Sequence, residues 1–470
     1  MRRLKDASPV LVGATVFGTV AAFMQKLPCR ATSFNFVPTA RHGCYTDIYP
    51  LFFARGLADG KVPYFDKVQE PVEYPVLTGW FMQGINTLVR WFTHPAGDID
   101  AIKSHRGMSF YDLTAVALAL LAVVAVLATA YAAGQRSRRA GLMVALSPGL
   151  VLAAYINWDL LAVALTALAV AFWAGRRTVT AGIFLGLAIS AKFYPAVFLW
   201  PLVLLCVRAG QWRALGRLLA GTAGCWLVVN VPVMLLAWDG WVRFYKFSQE
   251  RVVDWGSIFY WGRGERGWSW VDNVSTLNRA AEVCLAVCCL LIGLLALAAP
   301  RRPRVAQLLF LMLAAFLLTN KVWSPQYVLW LLPLAVLARP KLPGFIIWQL
   351  GELIYFWGIW WYLISVTIQQ SNPPGATVPG PVGLSGFLSG LIHFSSPAGG
   401  INMQAYSFAL FARMLTVILL MVLVVIDILR PGSDLLRQDG ADDPSGGVLD
   451  GAEDRFRLGR PALKPTSSPV

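Results

Sequence analysis

The chain is built from repeated runs of about twenty apolar residues, the length an α-helix needs to cross the hydrocarbon core of a bilayer. Such runs occur at 9–27, 108–134, 140–156, 159–175, 178–191, 193–208, 217–237, 277–299, 305–319, 326–338, 343–364 and 405–429. A water-soluble fold would have to bury all of them. With 14% charged and 57% hydrophobic residues there is too little polar surface to cover such a core. The pattern predicts an all-α polytopic membrane protein with about twelve transmembrane helices in one integral domain, 1–429. The runs at 178–191, 305–319 and 326–338 are short and must tilt or thin the bilayer to span it.

A thirteenth apolar stretch, 74–92 (YPVLTGWFMQGINTLVRWF), is ambiguous by hydropathy, and charge decides it. Short loops rich in Lys and Arg stay on the cytoplasmic side. The basic clusters are Arg2/Arg3/Lys5, Arg136/Arg138/Arg139, Arg176/Arg177, Arg208/Arg213/Arg217, Arg301/Arg302/Arg304 and Arg339/Lys341. All six fall on one side only if 74–92 lies along the outer surface as an interfacial helix. Its aromatics (Trp80, Phe81, Trp91, Phe92) among Gln83, Asn86 and Arg90 suit that setting. The clusters hold 16 Lys/Arg and one acid, so they account for the entire net charge of +15. The excess is a topology signal and not a footprint for nucleic acid.

This topology places both termini in the cytoplasm of a plasma-membrane protein and leaves outer segments at 28–107, 238–275 and 365–404. The tail 430–470, rich in Gly, Pro and Asp, reads as disordered. MRRLK followed by 9–27 has the polarity of a signal peptide, but the apolar run is too long and no small-x-small site precedes Cys29. It reads as an uncleaved first span.

Chemistry concentrates at the outer ends. Asp47 precedes an amphipathic run, 48–60 (IYPLFFARGLADG), that suits a short surface helix; it is either a reactive carboxylate or an N-cap. Ionisable residues at membrane depth are costly and usually functional. Asp159 (NWD), Lys192 (KFYP) and Lys321 (KVWSP) lie in helix breaks on the side of Asp47, while Glu352 lies deep in a span. Segment 238–275 adds five basic residues (Arg243, Lys246, Arg251, Arg263, Arg266) among many aromatics, a composition that fits sugar and phosphate or an interfacial belt. Cys29 and Cys44 share the first outer loop, in an oxidising compartment, and are either bonded or two free thiols. The other five cysteines lie in spans. No Cys/His spacing suggests zinc.

The stretches YTDIYPLFFARGLADGKVPYFD, EYPVLTGWF, NWDLLAVALTALAVAF, AGIFLGLAISAKFYPAVFLWPL and NKVWSPQYVLWLLPLA resemble, in order, the polyprenyl-phosphate-sugar-dependent glycosyltransferases of the GT-C superfamily. The likeness is to glycosyltransferase family 87, which includes phosphatidylinositol-mannoside mannosyltransferases. The resemblance implies a GT-C-like fold and an inverting transfer of mannose, or another hexose or pentose, from a polyprenyl monophosphate to a cell-envelope glycolipid or glycan on the outer face. It implies Asp47 as general base. Lys192, Tyr194, Lys321, Arg263 and Arg266 would bind the donor phosphate. Tyr45, Glu73, Tyr74, Asn157, Asp159 and Trp323 would line the substrate site. No cofactor is implied: the next acid after Asp47 is Asp59, so no D-x-D pair is present to build a metal site. Where the family often has His in the segment matching SPQYVLW, this chain has Gln326 and Tyr327. The competing reading, a transporter or flippase of lipid-linked sugars, also uses about twelve spans and broken helices, but favours midplane charges and internal repeats.

Overall fold

The computed structural model describes residues 2–372 and 377–459. They form an all-helical bundle in which the β-pairing is one isolated bridge, Val382–Ile401. Helix α1 (Arg2–Arg30) is followed by the first outer segment, with α2 (Phe36–His42), α3 (Ile48–Ala54) and α4 (Val76–Phe92). Next come α5 (Ile99–Ala132), α6 (Ser137–Ala145), α7 (Pro148–Ala153), α8 (Asp159–Ala174), α9 (Thr178–Ala191), α10 (Leu199–Ala209) and α11 (Trp212–Leu236). The second outer segment carries α12 (Trp238–Glu250) and α13 (Ile258–Arg266). The chain then continues through α14 (Val274–Ala298), α15 (Val305–Thr319), α16 (Val328–Ala338), α17 (Leu342–Ser371), α18 (Leu384–His393), α19 (Met403–Leu429) and α20 (Leu435–Gln438).

Among the described residues six helices are long and apolar enough to cross a membrane: α1, α5, α11, α14, α17 and α19. The protein is a multi-pass membrane protein. The expected span at 140–156 is instead two short pieces, α6 and α7, because Ser147 and Pro148 end one helix and start another; Ser147 accepts the N–H of Leu150 as N-cap. The α8, α9, α15 and α16 segments run only 11–16 residues. At 1.5 Å per residue even the longest rises about 24 Å, short of a ~30 Å core. These four are also the interior of the bundle: nearly every side chain of α15 and α16 is buried. Their shortness leaves a recess at one end.

Close packing follows sequence. On α9, a Cβ at Gly182 would stand 2.2 Å from the Leu218 carbonyl oxygen, and one at Gly186 would stand 2.6 Å from that of Thr222. This small-x-x-x-small pattern brings α9 against α11 backbone to backbone. The amphipathic helix expected at 74–92 is α4. It buries Val76, Met82, Ile85 and Val89, and Asn86 donates to the Leu57 carbonyl at 3.1 Å.

The tail overturns one expectation. Residues 431–459 are folded onto the end of the bundle that holds the basic loops; 460–470 lie outside the described residues. Arg304 and Asp434 form a fully buried pair at 2.7 Å, and Asp434 also accepts from Gln307. Asp454 bridges Arg208 and Arg302, Asp439 meets Arg136, and Asp442 meets Arg301. Composition suggested disorder because the tail lacks apolar residues. Its order comes from carboxylates finding cations that are far away in sequence.

Candidate active site

The site is assembled at the opposite end, where α8 begins, α9 and α15 end, and α16 is about to start. Loop 44–47 is pinned there: the N–H of Asp47 donates to the Ile156 carbonyl at 2.7 Å, and Thr46 Oγ1 to that of Tyr155 at 2.7 Å. Lys26, fully buried on α1, donates to the Tyr45 carbonyl at 2.9 Å. A disulfide joins Cys29 to Cys44 with Cα atoms 5.9 Å apart, tying the end of α1 to this loop. Tyr45 stacks on Trp360 of α17 with ring centres 4.6 Å apart.

Asp47 occupies the N-cap position of α3 but its side chain makes no capping bond. Its carboxylate instead accepts from Tyr45 Oη at 2.6 Å on one oxygen and from Asn157 Nδ2 at 2.8 Å on the other. Asn157 also donates to Tyr74 Oη at 2.7 Å. Burial pushes the Asp47 carboxyl above its ordinary value; the two hydrogen bonds and the charge of Lys192 pull the other way. Each oxygen keeps a second lone pair and the residue lines the cavity, so the group is positioned and still able to take a proton.

The cavity has a volume of about 530 Å³. Asp47, Glu73, Tyr74, Asn157, Lys192, Tyr194 and Lys321, all expected at the site, line it. The helix breaks supply the cations. Lys192 is the C-cap of α9 in extended conformation, with Nζ 3.2 Å from Asp159 and 5.0 Å from the centre of the Tyr74 ring. Lys321 donates to the carbonyls of Gln249 (3.1 Å) and Arg251 (2.6 Å). Burial, and next the Arg251 charge, lower its ammonium to about 8.

Five expected residues do not line the cavity; Tyr45 stands behind Asp47, its hydroxyl on that carboxylate and its ring on Trp360. Asp159 is fully buried behind Lys192, held also by Trp330 Nε1 at 2.7 Å, so it balances that lysine and does not face the cavity. Trp323 is fully buried beneath the wall, its ring 4.0 Å from the Arg413 guanidinium. Arg263 pairs with Asp272 at 2.7 Å, and Arg266 lies over Trp261. Both belong to α13, away from the cavity, because the 238–275 segment folds into two helices and only the first covers the recess. Tyr194 reaches the cavity, but its hydroxyl is engaged with Thr166 at 3.2 Å.

Sequence reading passed over others. Arg251, one of five basic residues in its segment, lines the cavity and pairs with Asp254 at 2.8 Å. Arg55 also lines it, in a fork with Glu73 (2.6 and 2.8 Å) and in contact with Glu70. Tyr327 and Trp330 stack at 3.7 Å and give an aromatic wall, on the segment where the chain lacks the family's His. Glu352 pairs with Arg413 at 3.2 Å; Arg413 in turn donates to the carbonyls of Trp323 and Ser324, so this buried pair shapes the 320–327 wall from behind. Among the described residues no three His, Cys, Asp or Glu side chains are grouped to hold a metal ion.

Residues 105–325 match the family model of glycosyltransferase family 87. The matched segment makes up 221 of the chain's 470 residues. It contains Asn157, Lys192, Arg251 and Lys321, and leaves Asp47 just outside, toward the N-terminus. Among solved structures the chain is similar to the apo crystal structure of the Archaeoglobus fulgidus oligosaccharyltransferase, with 12% identity and a TM-score of 0.34. That alignment covers 90% of this chain and 51% of the other, so the chain spans about half the length of that protein. No curated protein matches the chain.

Proposed function

We propose that the protein is an inverting glycosyltransferase that takes a sugar from a polyprenyl monophosphate and delivers it to a glycolipid or glycan acceptor at the outer face of the plasma membrane. Mannose, or another hexose or pentose, is the sugar class the sequence resemblance favours. The observation that carries the reading is one cavity that joins a buried, hydrogen-bonded carboxyl group to several cationic side chains at the mouth of a membrane bundle.

In this reading Asp47 removes the proton of the acceptor hydroxyl as that oxygen attacks the anomeric carbon. The C–O bond to phosphate breaks from the opposite face, and the configuration inverts. The departing lipid phosphate is already a stable anion and needs no strong acid. It needs cations, and Lys192, Lys321 and Arg251 supply them. Tyr45 and Asn157 hold Asp47 in one orientation. Tyr327 and Trp330 offer aromatic faces to the sugar. Both termini and the basic loops face the cytoplasm, as short basic loops do.

Purified protein in proteoliposomes, given labelled sugar on a polyprenyl monophosphate or on a nucleotide, tests the assignment. Transfer from the lipid donor alone is expected. Transfer from the nucleotide donor alone, or passage of the intact lipid-linked sugar across the bilayer without transfer, would overturn it.

A further inference from the structure

A second large cavity lies at the other end of the bundle. It has a volume of about 750 Å³ and runs as a groove between α6 and the start of α17. Its floor and rims are apolar: Leu142, Met143, Phe345, Ile346 and Leu350. Leu146, Ile346 and Leu350 are about half exposed on the outer surface of the bundle, so the groove opens sideways to where lipid would lie. Arg136, Arg138 and Arg139 close its top.

Two features separate this groove from ordinary lipid-facing surface. The first is charge left over. At this end the tail satisfies Arg208, Arg301, Arg302 and Arg304, and Asp439 takes Arg136. Among the described residues no carboxylate pairs with Arg138 or Arg139, and Arg139 Nε is buried without an acceptor. The second is a donor in the groove itself. Gln349 is 3% exposed and lines the cavity. Its oxygen accepts the N–H of Gly149 at 2.9 Å, which fixes the amide orientation, and its Nε2 has no partner. Gln349 lies seven residues beyond Leu342, about 10 Å along α17 from the start of that helix. A buried unpaired donor below a pair of unneutralised guanidiniums, in an apolar slot, calls for a ligand with an anionic head, a polar neck and apolar chains.

We propose that this groove is a specific site for an anionic membrane phospholipid in the leaflet opposite the candidate active site. Its phosphate sits on Arg138 and Arg139, its neck meets Gln349, and an acyl chain lies between α6 and α17. The site is independent of the transfer reaction.

The test is native mass spectrometry of the full-length protein in detergent, titrated with dioleoyl phosphatidylglycerol or dioleoyl phosphatidylcholine. The wild type is expected to prefer the anionic lipid by on the order of 25-fold, about fivefold per arginine. R138Q/R139Q should lose that preference. L146W, which fills the slot and keeps every charge, should lose retention of both lipids while eluting as a folded monodisperse species. Equal retention of the two lipids by the wild type, an unchanged preference in R138Q/R139Q, or unchanged retention in L146W would each overturn the proposal. Displacement of phosphatidylglycerol by millimolar inorganic phosphate would overturn it as well, because a free anion cannot replace the contacts along the groove.

Discussion

Asp47→Asn separates the proposed chemistry from the architecture. The carboxylate is held by Tyr45 Oη at 2.6 Å and Asn157 Nδ2 at 2.8 Å. An amide of the same shape keeps both contacts: its oxygen accepts from Asn157, and its NH₂ donates to the tyrosine hydroxyl, which can act as acceptor. The change also removes a charge whose burial already opposed ionisation. Lys192 keeps Asp159 at 3.2 Å. The fold should therefore lose no more than about 1 kcal/mol, while the reaction loses its base. General base catalysis contributes roughly 10²–10⁴-fold, or about 3–5 kcal/mol in the barrier. The assay is initial-rate transfer from labelled polyprenyl-phosphate sugar in proteoliposomes. The expected result is kcat down by about that factor with donor KM within about twofold, since Asp47 is not proposed to hold the phosphate. The pH profile gives a second reading. Burial raises the Asp47 carboxyl, so wild-type rate should climb with pH through a value above that of an ordinary aspartate, and the residual rate of the variant should lack that limb. Transfer within tenfold of wild type, with the limb intact, would refute the role of Asp47.

Other consequences can be measured alongside. Lys192→Ala should raise donor KM more than acceptor KM, because that lysine faces the cavity from the α9 terminus; an unchanged donor KM would remove it from the donor site. Lys321 is lowered to about 8, so its charge is present below that value and lost above it; donor KM should worsen as pH rises through about 8, and Lys321→Arg should move that limb upward. Replacing Cys29 and Cys44 by Ser should cost about 3 kcal/mol in the chain-entropy account of a loop of this size, read as a fall in Tm that reductant reproduces in the wild type. Asp434→Ala leaves Arg304 buried and unpaired, a loss of roughly 3–5 kcal/mol, whereas half-buried Asp442→Ala, which frees the exposed Arg301, should stay within about 1 kcal/mol.

Periodicity and charge made most of the bundle legible. The apolar runs give the helices, and the stretch 74–92 that the basic clusters set aside is the amphipathic α4. Breaks marked by Asn157, Lys192 and Lys321 were readable because an ionisable or amide group beside Pro or aromatics is expensive at membrane depth, and all three line the cavity. What failed to read was pairing across distance. Arg251, Arg263 and Arg266 look alike in sequence; only the fold of α12 over the recess selects the first. Trp323 looks like a wall residue until Arg413, ninety residues later, is found beneath it. Asp159 looks like a substrate-lining residue until Lys192 is seen to cover it. The tail looks disordered until its acids meet Arg136, Arg208, Arg301, Arg302 and Arg304.

The two ends of the bundle differ in how they hold charge. At the basic end, opposite charges meet directly, as in the buried Arg304–Asp434 pair, and the result is a clamp. At the cavity end Lys192, Arg251 and Arg55 also have carboxylate partners, but Asp47 and Lys321 are held without a direct opposite charge. Asp47 is satisfied by neutral donors, and Lys321 by two backbone carbonyls. Neutral partners fix a side chain's position without cancelling its charge. That arrangement costs stability through desolvation, which is why the Asp47 carboxyl is raised and the Lys321 ammonium lowered. A structural ion pair would have avoided the cost by direct contact between the two. A site that must take a proton from a hydroxyl and stabilise a departing phosphate cannot avoid it, because both charges have to remain available to the substrates. The short central helices supply the room, and the disulfide and the Lys26 contact hold the loop bearing Asp47 over it.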